Sequence, residues 1–223
     1  MFGSRIGSGA VGGVRRLAAY VERSGFWAGA DPLAREAAAR LAEGLPATTL
    51  IATGQGWVVA ADLRPGDRIV TFDNGLQRLR AVGAGQLRIA PPDLPRSACP
   101  LRVPAGALGN RRALTLLPGQ SVLIDSDAAE ALYGDPFALV PAGALDGWRG
   151  IARVEPAAEV EVVFLEFDGE EIVYAEGMAL IHCPRRNPLI VAAPDGLIAA
   201  ASAGHYRALP LAQGRALIAA MGA

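Results

Sequence analysis

The sequence predicts a mainly β domain with short helical extensions at its N- and C-terminal ends. From Leu45 onward, apolar runs of roughly 4–8 residues alternate with Pro- and Gly-rich turns, which is the pattern of a compact β-fold. Asp73-Asn74-Gly75 is a strong signal for a two-residue hairpin turn. The run EVEVVFLEF begins with the alternating charged and apolar residues of a half-buried strand. The predicted units are a helical or flexible arm over residues 1–44, a β domain over 45–190 and a partly helical tail over 191–223.

The N-terminal arm combines a flexible start with two helix signals. Residues 1–12 are rich in Gly and Ser, and a short helix is expected over residues 14–22. The segment DPLAREAAARLAEG is more clearly marked, with Asp31 as N-cap, Pro32 at the first helical position and Gly44 as the stop.

The β domain is predicted from short apolar runs between turns such as Arg64-Pro65-Gly66-Asp67. The expected strands are 50–52, 57–60, 68–72, 79–82, 101–103, 114–117, 121–124, 138–140, 151–154, 159–167 and 171–175. A short helix is expected over residues 128–132. The Pro-rich piece RIAPPDLPRSACP is either a domain linker or a connection at a sheet edge, because Pro lacks the N–H that a central strand needs. We favour the edge connection, since the predicted strands on both sides are the same kind of short apolar run between turns. The tail is expected to be helical over residues 199–221, with interruptions at Pro210 and Gly214.

Composition restricts the classes of function. The 223 residues carry a net charge of about −1, and 52% of them are hydrophobic. Such a chain can bury a core, but it has no basic surface for nucleic acid. No apolar run reaches the roughly 18 residues of a membrane-spanning helix, so no membrane partner is expected. All basic residues are Arg, which excludes Lys as a base or Schiff-base former.

Cysteine and histidine are too few for a disulfide framework or a metal site. The chain has Cys99, Cys183, His182 and His205, and their spacing fits no zinc-ligand pattern. We therefore expect no metal and no other cofactor. The first 21 residues lack the apolar core of a Sec signal, so a cytoplasmic location is expected, with secretion by another route left open.

Four segments of the β domain resemble the Hint (Hedgehog/intein) family, and in particular its stand-alone bacterial members. They are TLIATGQGWVVAADLRPGDRIVTFDNGLQRLRAVG, LRVPAGALGNRRALTLLPGQSVLI, LYGDPFALVPAGALDG and VEVVFLEFDGEEIVYAEG. Each segment is weak alone, but all four occur in the family's order and span about residues 45–190. The resemblance implies an all-β fold with pseudo-twofold symmetry.

The resemblance also implies a chemistry. In active members, a Cys, Ser or Thr at the first position of the domain attacks the preceding carbonyl and converts the amide to a (thio)ester. A His from a T-x-x-H or S-P-x-H motif then protonates the departing amide nitrogen. This is nucleophilic catalysis assisted by a general acid.

The positions that match the family's catalytic residues carry other side chains here. The nucleophile position, five residues before Thr49, is Gly44. The S-P-x-H motif aligns with Leu117-Pro118-Gly119-Gln120, so Leu117 replaces the Ser and Gln120 replaces the His. Glutamine has no pKa near neutrality and cannot relay a proton. The stand-alone members tend to carry His at the positions of Phe164 and Glu170.

Five other residues are weaker candidates. Thr48 and Thr49 could open an N-to-O shift, although a structural Thr at the start of a strand is the simpler interpretation. Glu170 could act as a base if desolvated, but its place at a hairpin tip predicts a solvated carboxylate. His182 directly precedes Cys183 after an apolar strand, which resembles the splicing end of inteins without the Asn that would cyclise. The alternative for this pair is a half-buried Cys beside a surface His.

Two functions from different classes remain. One is a Hint-like protein that has lost autoprocessing and acts as a binding or structural module for an unknown protein partner. The other is autoproteolysis through Thr48, Thr49 or Cys183. An unrelated hydrolase is less consistent with the sequence, because no G-x-S-x-G or H-E-x-x-H motif is present and only two histidines exist.

Overall fold

The computed structural model describes residues 16–20, 43–88, 96–155, 159–185 and 206–222. Within these ranges the chain is mainly β, which confirms the predicted fold class. The strands, numbered β1 to β15 in chain order, are Arg16–Tyr20, Leu45–Pro46, Leu50–Thr53, Gly56–Val59, Arg68–Thr71, Gly75–Arg78, Ala81–Arg88, Leu101–Val103, Leu114–Leu116, Ser121–Asp125, Phe137–Pro141, Ala152–Arg153, Glu159–Glu166, Glu171–Ala175 and Ala179–Cys183. The helices are α1, Asp127–Tyr133, and α2, Leu211–Ala220.

The described strands form three sheets. The first has the order β1-β7-β13-β2, and β1 runs parallel to β7 while the other pairs are antiparallel. The second has the order β11-β10-β15-β14-β3-β5-β6, with β4 paired to β3. The third is the small sheet β12-β8-β9. The long strand β13 therefore pairs with β7 on one side and with β2 on the other. The pairing with β2 fixes the position of residues 45 and 46.

A large apolar core joins the three sheets. Among its fully buried side chains are Ile51, Ile69, Leu101, Leu116 and Ile181. A smaller apolar cluster covers the opposite face of the second sheet, where strand residues pack against side chains from a turn and the tail. Its members are Leu123, Leu139, Ile172, Phe72, Leu180 and Tyr206. Alternating residues of β14 and β15 therefore contribute to two different apolar layers.

Most predicted strands occur close to their expected positions, because their apolar runs and turn residues are local signals. Strands 101–103 and 171–175 are found with the predicted bounds. The strand predicted at 79–82 is wrong in its bounds. Leu79 and Arg80 connect β6 to β7, and the Asp73-Asn74-Gly75 turn leads directly into β6.

The helix predicted over residues 14–22 is also wrong where the structure describes it. Residues Arg16–Tyr20 form β1, paired from Arg16↔Ala84 to Tyr20↔Arg88. A helix this short is marginal without tertiary contacts, whereas β7 offers unpaired backbone groups along its edge. The helix predicted to end at Gly44 lies outside the described residues except for its last two positions.

Both described helices fall where the sequence predicts helix. Helix α1 has Ser126 as N-cap, whose hydroxyl accepts a hydrogen bond from the Ala129 N–H at 3.1 Å, and it ends at the left-handed Gly134. Helix α2 begins after Pro210 and continues through Gly214, so the predicted interruption at Gly214 is wrong, and so is the helix predicted over the described residues 206–209. A Cβ on Gly214 would lie 3.0 Å from the Ala144 Cβ, so the glycine allows the helix to approach the domain closely.

Neither α1 nor α2, the helices in the part of the chain that the structure describes, has the length and apolar character to cross a membrane.

Candidate functional site

Gly44 lies immediately before β2 and is buried. Strand β2 pairs antiparallel with β13 through Pro46↔Val162 and Leu45↔Val163, so the next residue of β13, Phe164, lies opposite Gly44. A Cβ built on Gly44 would be 2.6 Å from Phe164 Cε1 and 3.0 Å from Cζ. Real Cβ atoms do not approach this closely, so a side chain at position 44 requires the phenyl ring to move.

The Phe164 side chain is held by the strand on its other side as well. It is 7% exposed, and β13 places it opposite Gly83 of β7. A Cβ on Gly83 would lie 3.4 Å from Phe164 Cδ2. The ring therefore packs between two glycines, one of which is Gly44, the residue that the sequence analysis predicts at the family's nucleophile position.

Gln120 is a buried structural residue. It is 2% exposed, and its side-chain Oε1 accepts a hydrogen bond from the Leu117 N–H at 2.7 Å. The Gln120 N–H donates to the Leu117 carbonyl at 3.1 Å, and the Gln120 carbonyl accepts from the Ala142 N–H at 2.8 Å. These bonds close the turn after β9, a strand that contacts β2. Nε2 of Gln120 has no acceptor among the described residues.

The two threonines follow β2 in different environments. Thr48 is exposed, whereas Thr49 is 3% exposed. The Thr49 N–H donates to the Pro46 carbonyl at 2.9 Å, and its carbonyl accepts from the Ala60 N–H at 2.8 Å. Thr49 therefore fixes the entrance to β3 through its backbone, as a residue at the start of a strand does.

His182 and Cys183 lie on opposite faces of β15, as strand alternation requires. Cys183 is 6% exposed and belongs to the large core. The His182 side chain, 14% exposed, faces Glu170 and Tyr206. The prediction of a surface His was wrong, because Tyr206 from the tail covers this face of the strand.

Glu170 is not the solvated carboxylate that its position at a hairpin tip predicted. Its side chain is 10% exposed. Oε1 accepts a hydrogen bond from the Tyr206 backbone N–H at 2.6 Å, and Oε2 lies 3.2 Å from His182 Nε2. An ionised carboxylate can only accept hydrogen bonds, so Nε2 of His182 is the donor. The His182 and Tyr206 rings meet edge to face, with centroids 5.9 Å apart.

Burial lowers the pKa of His182 below its usual value of 6.5, and the hydrogen bond and charge of Glu170 oppose this shift without reversing it. In the unfolded chain the imidazole takes up its proton near pH 6.5. The folded protein therefore binds fewer protons than the unfolded chain below that pH, and this group's contribution to stability is lost as the pH falls.

We expect the free energy of unfolding to fall more steeply from pH 7 to pH 5.5 in the wild type than in His182→Gln. The measurement is urea unfolding across that range, with a parallel NMR titration of the imidazole signals. The two histidines are distinguished by the signal missing from His182→Gln. A His182 midpoint above 6.5 would show that the Glu170 charge dominates over burial.

A carboxylate that the sequence did not reveal organises the other end of β14. Glu176 is 6% exposed, and its Oε1 accepts a hydrogen bond from the Leu50 N–H at 2.9 Å. Arg112 binds both of its oxygens, at 3.0 and 3.2 Å, and this hydrogen bond and charge raise the pKa of Arg112. Glu176 has a left-handed φ of 49°. Its only sequence signal is the adjacent Gly177, because the partners are distant in the chain.

The described residues include no group of three or more His, Cys, Asp or Glu side chains that could hold a metal ion. Neither Cys99 nor Cys183 is in a disulfide. His205 lies outside the described residues.

Comparison with known proteins gives one family match. The family model of the Hint domain matches residues 44–180 and thus begins at Gly44. No curated protein matches the chain.

The solved structures that match the chain include inteins and an intein-like domain. The MchDnaB-1 intein is 15% identical, with 62% of this chain and 98% of that chain covered at a TM-score of 0.37. The gp41-1 intein is 13% identical, with 62% and 96% covered at a TM-score of 0.38. The bacterial intein-like domain from Clostridium thermocellum is 12% identical, with 63% and 98% covered at a TM-score of 0.40.

Proposed function

Because the chain belongs to the Hint domain family, we propose that it is a Hint protein without autoprocessing activity that serves as a binding or structural module. The observation that carries this proposal is the contact between Gly44 and Phe164. The family's reaction begins with a side-chain nucleophile on the first residue of the domain. Gly44 has no side chain, and the phenyl ring of Phe164 fills the space that a nucleophile would need.

Gln120 also supports the loss of autoprocessing, because it affects the second step of the family's reaction. Expulsion of the amide nitrogen requires a proton, and general acid catalysis typically contributes about 10²- to 10⁴-fold. The Gln120 amide does not titrate near neutrality, and its oxygen is bonded to the Leu117 N–H. Both the attacking group and the proton donor are therefore missing from the positions at which the family carries them.

The alternative route through Thr48, Thr49 or Cys183 has less support. Thr49 and Cys183 are buried, and Cys183 faces the core rather than His182. Thr48 is accessible, but it stands four residues after Gly44. A reaction at Thr48 would cleave a different peptide bond from the one that precedes the domain.

The apolar core favours a module that is retained for its fold. The domain keeps a continuous buried core across its three sheets, and the replaced catalytic positions are packed and hydrogen-bonded rather than left open. Substitutions of this kind preserve the folded scaffold while removing the chemistry. A protein partner would use the scaffold's surface.

We expect the purified protein to keep its full mass of 23.0 kDa for days in dithiothreitol or hydroxylamine, which cleave thioesters and esters. Intact mass spectrometry gives the result directly. Fragments that end at Glu43, or anywhere up to Thr49, would refute the proposal.

Matched variants separate the missing nucleophile from the missing proton donor. Gly44→Cys should remain uncleaved and lose about 1–2 kcal/mol of stability, because the new side chain meets Phe164. In a Phe164→Leu background the same Gly44→Cys change should be less destabilising, and cleavage should still be absent because Gln120 is unchanged. Cleavage in Gly44→Cys/Phe164→Leu would show that the reaction proceeds with Gln120 in place of the His, and that the Phe164 ring alone prevents it in Gly44→Cys.

A further inference from the structure

A groove opens beside β10 and β15, and Gly44 is not among the residues that line it. The two strands pair only at Val122↔Ile181. Beyond this pair, the groove has a volume of about 310 Å³ and is lined on the sheet side by Leu123, Tyr174 and Leu180. Phe137 and Met178, 40% and 62% exposed, also line it. Exposed apolar side chains that surround a concave surface are typical of a binding site.

Arg149 provides the positive charge of this groove. Its side chain is exposed, and its guanidinium lies 4.3 Å from the centre of the Trp148 ring. Nη1 donates a hydrogen bond to the Ala107 carbonyl at 3.3 Å. No carboxylate of the described ranges forms an ion pair with it. The cation is therefore held in place by neutral groups and keeps hydrogen-bonding capacity for an anion.

The backbone at Arg149 is strained. Its φ of 46° is left-handed, and the flanking Gly147 and Gly150 have φ values of 95° and 76°. A non-glycine residue in this region costs about 1 kcal/mol or more. A glycine would adopt this φ without steric cost, so the arginine side chain stands here at an energetic cost to the backbone.

The indole N–H of Trp148 is a hydrogen-bond donor without a partner among the described residues. The residue lines the groove and is 3% exposed, and its indole N–H is buried without an acceptor in the described part of the chain. A buried donor without an acceptor is unfavourable. The Arg149 guanidinium lies over this ring, so the indole N–H signal reports on the surroundings of that cation.

We propose that this groove binds a small apolar carboxylate, with its carboxylate group at Arg149 and its apolar part against the side chains of β10, β14 and β15. The volume lies at the lower end of the roughly 300–1,000 Å³ of small-molecule sites, which indicates a small molecule rather than a protein segment. Asp125, the other charged residue of the groove, is exposed at the end of β10. Its negative charge weakens anion binding and provides a control.

The test is isothermal titration calorimetry of the full chain with sodium octanoate at about 0.15 M salt, with octanol as the uncharged analogue. Wild-type protein should bind octanoate saturably with a Kd below about 1 mM. Arg149→Gln should weaken octanoate binding about tenfold and leave octanol binding unchanged. Arg149→Lys should stay within about threefold of wild type, and Asp125→Asn should bind octanoate more tightly.

The position of the ligand is read from the indole N–H signals in NMR spectra. The chain has three tryptophans, and the Trp148 signal is identified by its loss in Trp148→Phe. Octanoate should shift this signal more than those of Trp27 and Trp57. The proposal is overturned by no saturable binding, by equal binding to Arg149→Gln, by weaker binding to Asp125→Asn, or by an unmoved Trp148 signal. None of these outcomes depends on whether the Gly44 site is silent, which intact mass decides separately.

Discussion

Replacing Glu170 with alanine is expected to lower the free energy of unfolding by about 3 kcal/mol. The carboxylate accepts hydrogen bonds from the Tyr206 N–H and from His182 Nε2, and its side chain is only 10% exposed. Alanine leaves both donors without an acceptor, and each unsatisfied buried donor costs about 1–3 kcal/mol. The measurement is urea unfolding at pH 7.5, where the imidazole is neutral in both states.

Glu170→Gln is the matched control for this prediction. Its amide keeps an oxygen for the Tyr206 N–H but removes the negative charge beside His182. We expect a smaller loss than for alanine and a further decrease in the pKa of His182, because the charge that raises it is gone. Equal stability of wild type and Glu170→Ala would mean that the contacts of Glu170 with Tyr206 and His182 together add nothing to the free energy of unfolding.

The prediction of the strands succeeded where the signals are local. Turn residues mark the ends of β3, β5 and β10, and the alternation in EVEVVFLEF marks β13. These features depend on neighbouring residues, so one sequence contains them. Strand β1 was missed because the edge of β7 that it pairs with lies more than sixty residues away, and its own sequence has no strand alternation.

Burial of charged groups was the harder property to predict. Glu170 looks solvated from its hairpin, but the tail covers it at a separation of 36 residues. Leu50 and Glu176 are 126 residues apart. Neither contact has a local signature, because each depends on how distant elements pack.

The candidate site also combines features that the sequence predicts with contacts that it does not. From motif positions alone, the sequence predicts that Gly44, Leu117 and Gln120 replace the family's catalytic residues. The consequence of Gly44 depends on Phe164, and the two meet only through the register of β2 and β13. A side chain introduced at position 44 must therefore displace the Phe164 ring as well as supply a nucleophile.

Replacing Glu176 with alanine is expected to lower the free energy of unfolding by about 2–3 kcal/mol. The change removes the acceptor of the Leu50 N–H and the partner of Arg112, at the point where β3 begins. Alanine also keeps the left-handed φ of 49° without any side-chain bond to compensate for it. Urea unfolding of the wild type and the variant provides the measurement.

Glu176→Gly separates the side-chain bonds from the backbone strain. Glycine loses the same hydrogen bonds as alanine, but it adopts a positive φ without steric cost. The glycine variant should therefore be more stable than the alanine variant by about 1 kcal/mol, and less stable than wild type. If glycine matched or exceeded wild type, the Glu176 bonds would be worth no more than the strain they oppose, and the carboxylate would have to be retained for a reason other than the stability of the fold.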